Sequence, residues 1–146
     1  MNSRQRMHEK LILRVVAKAF TPFILLFALY VQFHGDFGPG GGFQAGVIFA
    51  AGLIVYAMIF GLNALEEAIP SRVVEGTISF GVLLYAGVGF WALFSGGEFL
   101  NYSALDPEHP AHGQHVGILI IELGVGITVA AVMVAIYSAF AGRKRD

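Results

Sequence analysis

Apolar residues fill four long stretches of this 146-residue chain, at 11–33, 42–62, 73–94 and 115–141, and polar residues gather in the short segments between them. Each stretch is near or above the roughly 20 residues that a helix rising about 1.5 Å per residue needs to cross a hydrocarbon core of about 30 Å. The pattern predicts an all-α integral membrane protein: one domain over residues 1–146, four transmembrane helices, a tight turn between the first two and a longer loop at 95–114. The turn is the segment His34-Gly-Asp-Phe-Gly-Pro-Gly-Gly-Gly-Phe-Gln-Ala-Gly46. Its glycines open backbone angles closed to other residues, and Pro39 fixes its own φ and pushes Gly38 towards an extended conformation. A helix starting near Gly42 would leave its first N–H groups beside backbone that carries no side chains, where a carbonyl, water or ion can approach.

Composition excludes the soluble alternative. With 56% hydrophobic and 13% charged residues and a mean hydropathy of +0.70, so short a chain cannot hide its apolar side chains in a globule of its own. The lipid bilayer is therefore its surroundings. A net charge of −1 points away from nucleic acid, and the absence of cysteine removes disulfides, thiolate metal sites and cysteine nucleophiles.

The distribution of charge adds orientation. All nine lysines and arginines lie at the N-terminus (Arg4, Arg6, Lys10, Arg14, Lys18), at Arg72, or at the C-terminus (Arg143, Lys144, Arg145). Positive residues mark cytoplasmic segments, so both termini and the 63–72 connection are expected inside, with 34–41 and 95–114 outside. The basic, then apolar, N-terminus is too long for a signal peptide and has no small-residue cleavage site after it, so it is expected to remain as the first span.

Within this frame the candidate polar sites are few. Lys18 sits roughly one turn inside the membrane on the face of Arg14, close enough to snorkel or to meet a carboxylate of a neighbouring subunit; Pro22 is a candidate kink. In the second span Gly42, Gly46 and Ala50 form a small-residue seam. Pro70 suits the start of the third helix, where Glu75 can pair with Arg72 or serve as a cation site at the cytoplasmic mouth. Thr77, Gly81, Tyr85 and Gly89 share a face of that helix, with Trp91 and Phe94 suited to an interface. His109, His112 and His115 recur every three residues, yet Pro107 and Pro110 interrupt the helix that a zinc site with this spacing needs and no fourth ligand follows. Neither that set nor a haem between His34 and His115 is expected, and no serine of the third span has the partners of a nucleophile. Glu122 is the carboxylate embedded in the last apolar stretch, in its outer half, with Gly126 and Ala130 one and two turns further along the same face; facing lipid would be costly, so it is expected in a close helix contact, as an ion-path residue or as a structural hydrogen-bonding group.

His34-Gly35, the Pro39-Gly40-Gly41-Gly42-Phe43 turn with Gly46, and Glu122-Leu-Gly-Val125 together resemble the B subunit family of the multisubunit Mrp (also called Mnh or Pha) cation/proton antiporters, over about residues 11–141. Members of that family often carry a second histidine where this chain has Asp36, and glycine where it has Ala45. The resemblance implies a small, non-redox subunit, without cofactor or metal and not an enzyme, in the bacterial cell membrane. Its partners would be the other subunits of a heteromeric complex that exchanges cytoplasmic sodium for external protons, among them large subunits like the proton-pumping membrane subunits of respiratory complex I. The candidates for the ion path are Glu122, Lys18, Glu75, His34 and Asp36, and those for turn and packing roles are Pro39, Gly40, Gly41, Gly42, Phe43, Gly46 and Gly126. Two other classes fit the residues less well. A self-sufficient small multidrug transporter places its buried acid in the first span, where this chain has Lys18; a membrane oxidoreductase subunit needs a redox centre for which the chain offers no ligands.

Overall fold

The computed structural model describes residues 3–35 and 40–143, with side chains from Leu11 onward. Among these residues the chain is helical throughout: α1 (Ser3–His34), α2 (Gly42–Phe60), a short α3 (Leu62–Ala68), α4 (Ser71–Phe94), a 3-10 turn (Tyr102–Leu105) and α5 (Pro110–Ala141). Four segments among the described residues are long and apolar enough to cross a membrane: Leu11–His34, Gly42–Phe60, Ser71–Phe94 and Pro110–Ala141.

Two boundaries differ from the sequence-based expectation, each for a local reason. The last helix begins five residues before 115, because Pro110 occupies its first turn, where a proline's missing N–H costs nothing. Pro110 therefore opens this helix, and His112 and His115 lie on it while His109 caps it. The second connection, expected as a solvated loop, instead forms α3. Gly61, at φ 100°, ends α2 and starts α3, and Leu65 of α3 turns inward until only 2% of it is exposed. Leu65 packs with Ala50, Ala57, Val74, Ala131 and Val134, tying α2, α4 and α5 together at the α3 end of the molecule.

Spatial order departs from chain order. α1 packs on α2, α2 on α5 and α5 on α4, giving a curved row α1–α2–α5–α4, and α1 meets α5 only slightly. Glycines permit the close crossings. A methyl at Gly46 would meet the Gly126 carbonyl oxygen at 2.6 Å, and one at Gly81 would meet the Gly124 carbonyl oxygen at 2.8 Å, so backbone lies on backbone at both crossings. Ile24 and Leu25 of α1 fill the space over Gly52 of α2. In α1, Pro22 has no N–H to give to the Lys18 carbonyl, and the buried Thr21 hydroxyl donates to the Ala17 carbonyl at 2.8 Å. The outward face of α1, with Phe20, Phe23, Leu26, Phe27, Tyr30 and Phe33, stays exposed, as does Trp91 of α4, as suits lipid or a membrane partner.

Candidate functional site

The α1–α2 turn and the N-terminal half of α5 build one site. α2 starts where Gly41 takes φ 134°, an angle that favours glycine, and the Gly41 carbonyl accepts the Ala45 N–H at 3.0 Å. No side chain caps this start and no acidic residue lies in the first turn of α2. The bare backbone lets α5 approach until a methyl at Gly42 would overlap the Glu122 carbonyl oxygen. The Glu122 side chain then reaches into the turn. Its Oε2 lies 3.0 Å from where a methyl at Gly35 would sit, and its Oε1 3.3 Å from the same point at Gly41. One carboxyl thus lies beside both flanks of the turn, the first residue after α1 and the last before α2.

A cleft of about 360 Å³ opens beside this contact, lined by Gly40, Gly41, Gly42, Phe43, Gln44, Ile121, Glu122 and Val125. Among the described residues, Glu122, half-buried, is the single ionisable side chain in that lining. A larger groove of about 500 Å³ runs along the row, past Ala28, Gly46, Ile69, Thr77 and Ala130 to Val134, and among the described residues its lining contains no ionisable side chain.

The structure brings Gly40, Gly41, Gly42, Phe43, Gly46, Gly126 and Glu122 together. Gly42, Gly46 and Ala50 are buried along one face of α2, and Gly126 is buried in α5. Asp36 and Pro39 lie outside the described residues. His34 is exposed at the end of α1, its ring stacked on Tyr30 at 4.8 Å. Lys18 is not brought to the site: it is exposed on α1, about 24 Å from His34 at 1.5 Å per residue. Glu75 is exposed on the first turns of α4, on the far side of α5 from α2, where its carbonyl accepts the Ser79 hydroxyl at 3.2 Å.

Gln32 is a site residue that sequence reasoning passed over. Only 6% exposed, it extends from α1 across the start of α2, and its Oε1 lies 2.5 Å from where a methyl at Gly126 would sit. The signal was available: an amide in an apolar span, two residues before His34, that lipid would not tolerate facing outward.

The histidines at 109 and 112 belong to a separate, superficial arrangement. Asp106 Oδ1 accepts the His109 backbone N–H at 3.1 Å, and Oδ2 lies 3.0 Å from His112 Nδ1. These two contacts, the backbone one foremost, hold the Asp106 carboxyl below its ordinary range. Tyr102 lies over Gly113 and Gly117, and Gln114 donates to the Ser103 hydroxyl at 2.9 Å, so the loop is folded back on the start of α5. Among the described residues no three histidine, aspartate or glutamate side chains gather as a metal site would require.

Residues 12–135 match the family model described as a domain related to the MnhB subunit of Na+/H+ antiporters. A Staphylococcus haemolyticus (strain JCSC1435) protein named as antiporter subunit mnhB2 is 34% identical over 135 residues, which cover 91% of this chain and 95% of that protein. Its namesake from Staphylococcus aureus (strain Newman) is 31% identical over 141 residues, with the same coverage. The B-type Na(+)/H(+) antiporter subunit of Alkalihalophilus pseudofirmus is 28% identical over 127 residues, or 81% of this chain and 88% of that one. With the family model spanning most of its length and its four apolar helices, this chain belongs to the MnhB family of antiporter subunits and is a multi-pass membrane protein.

Proposed function

We propose that the chain works as the B-type subunit of a multisubunit Na+/H+ antiporter in a bacterial cell membrane, a transporter component and not an enzyme, and that Glu122 exchanges a proton or a cation at the mouth of the α1–α2 turn. Family membership carries the first part. The second rests on one observation, the Glu122 carboxyl set against glycine backbone in an open cleft. An ionisable group in an apolar helix costs roughly 2.5–3.5 kcal/mol on insertion scales, and such groups persist mostly where they serve transport. The lipid-ready outer faces of α1 and α4 fit a subunit that sits among other membrane subunits, including large ones like those of complex I. The cationic residues support an orientation with both termini and Glu66 in the cytoplasm, and with His34, the cleft and His109 outside.

Antiport in everted vesicles, at matched levels of assembled complex, tests the role of Glu122. Glu122→Gln keeps the size of the side chain, so the complex should assemble while sodium-dependent proton movement falls or shifts in pH. Unchanged transport with an unchanged pH profile would remove Glu122 from the ion path. Orientation is tested separately, with a cysteine placed at 109 in this cysteine-free chain: labelling by an impermeant maleimide from the outside is expected, and labelling only from the cytoplasm would overturn it.

A further inference from the structure

We propose that the groove of about 500 Å³ beside the α2–α5 crossing is a binding site for one acyl chain of a membrane phospholipid, with the Gln32 amide donating to the ester carbonyl at the head of that chain. The groove is separate from Glu122, which is not in its lining. Among the described residues two polar side chains take part in the lining, Gln32 and Thr77, and they are in opposite conditions. The Thr77 hydroxyl donates to the Val73 carbonyl at 2.7 Å, within its own helix, and asks nothing of an occupant. Gln32 is only 6% exposed, and among the described residues its amide has no hydrogen-bonding partner. Such a group is costly inside a membrane, where no bulk water reaches it. Its Oε1 is turned to the Gly126 backbone, which leaves the N–H donors of the amide to the groove.

The lining therefore suits an occupant with an acceptor at one end and hydrocarbon along the rest. Gln32 stands two residues before the end of the α1 span at His34, about 3 Å of helix rise, at the depth where the ester groups of a bilayer border its hydrocarbon core. From there, Thr77 apart, the walls are apolar down to Pro70 and Val134. Along α5 the lining runs from Leu123 to Val134, about 16 Å at about 1.5 Å per residue, and half of a hydrocarbon core of about 30 Å is about 15 Å. The groove is thus as long as one leaflet is deep. A transmembrane helix of a neighbouring subunit is too thick for it: about 10 Å across with its side chains and about 16 Å long, it occupies roughly 1,200 Å³, more than twice the space. Such a helix also brings no unbonded carbonyl to Gln32, because its own are bonded within it. A free fatty acid would bring a carboxylate, for which the lining holds no cationic side chain among the described residues. The neutral ester of a phospholipid meets both conditions, and its methylenes fill the space that the row α1–α2–α5–α4 leaves open along α2 and α5.

The experiment uses the assembled complex in two kinds of vesicle, one of diacyl phospholipid and one of the dialkyl ether analogue, which has no ester carbonyl. Each contains a trace of diacyl phosphatidylcholine with a diazirine midway along one chain. After illumination, adducts on this subunit are mapped by peptide mass spectrometry, and those on the exposed Phe23 and Phe27 of α1 measure ordinary contact with bulk lipid. Adducts are expected in the groove at Leu53, Ile127 and Ala130. In ether vesicles the diazirine lipid has no ester rivals, so the ratio of groove adducts to Phe23 and Phe27 adducts should be severalfold higher than in diacyl vesicles. Gln32→Leu keeps the bulk of the side chain and removes its donor, and the ratio should then be the same in both. The comparison of the two vesicles is made on the unaltered protein, so it stands even where Gln32→Leu does not assemble. Absence of groove adducts, or an equal ratio in the two vesicles, would overturn the site. A ratio that still differs in Gln32→Leu would overturn the role of the amide. Capture of another subunit by a photoreactive side chain placed at position 130 would put a helix in the groove and overturn the lipid.

Discussion

α5 makes two backbone-close crossings, and they are built alike but equipped differently. Against α4, Gly81 faces Gly124 and the nearest polar side chain, Thr128, turns its hydroxyl back to the Gly124 carbonyl at 2.8 Å, within its own helix. Against α2, Gly42 and Gly46 face Glu122 and Gly126, and the polar groups there, Glu122 and Gln32, reach across to other helices. The first crossing satisfies its polar atoms locally and can be read as packing. The second has its polar side chains set against neighbouring segments. Glycine spacing marks where helices touch; the reach of the polar side chains marks how the two contacts differ.

The steepest test of this contrast is to fill each crossing. Gly42→Ala drives a methyl into the Glu122 carbonyl, backbone against backbone, with no flexible atom to give way. Overpacking of this kind costs about 1–3 kcal/mol or more, so co-purified complex should fall by about tenfold. Gly81→Ala, which meets the Thr128 hydroxyl as well as the Gly124 backbone, should cost as much in assembly; the complex that does form should transport normally per particle, whereas that from Gly42→Ala should not. Gly87→Ala has open space around it and should assemble at least as well as the parent, since alanine is the better helix former by about 1 kcal/mol.

Next in size is the turn. Gly41→Val must place a branched side chain at φ 134°, and the expected loss of assembled complex is severalfold, exceeding that of Asp36→Asn, which keeps the shape of its side chain. Equal co-purification of the two variants would contradict a backbone role for Gly41. A smaller effect is expected from Thr128→Val: its hydroxyl bonds within α5, so antiport and its pH profile in vesicles should stay within about twofold of the parent, in contrast to Glu122→Gln.

The smallest effect is expected at Asp106, outside both crossings. Its pKa in the folded protein lies below the ordinary value of 3.8, so the link to His109 and His112 contributes fully above that value and is lost as the pH falls through the lowered one. Asp106→Asn should therefore speed hydrogen exchange of the His109 amide at neutral pH, and the two proteins should converge only in strong acid.

The four spans were legible because membrane-length apolar runs leave little choice of structure, and the seam at Gly42, Gly46 and Ala50 was legible from its spacing. The boundaries of the last helix were not, because a proline reads as a breaker until its position within the helix is known. α3 escaped for a related reason: its one buried leucine makes no period, and only the arrival of α4 and α5 gives Leu65 something to pack on. At the site, the isolation of Glu122 in its helix identified it as a candidate, but its partner could not be read. The glycines that receive it are some eighty residues away, and nothing local to the turn advertises its arrival. Gln32 was hidden by its neighbours, since a neutral amide next to a histidine at a helix end looks like interface.

The order of the row also sets a schedule. α5 emerges from the ribosome after α1, α2 and α4, yet it stands between α2 and α4 and supplies one wall of each crossing. Until it inserts, the hairpin and α4 have no shared surface beyond the α3 end, and the glycine faces of both lie open to lipid. Insertion of α5 therefore closes both crossings together. A cell that must discard unassembled copies has, in those open faces, a period during which an unfinished chain differs plainly from a finished one.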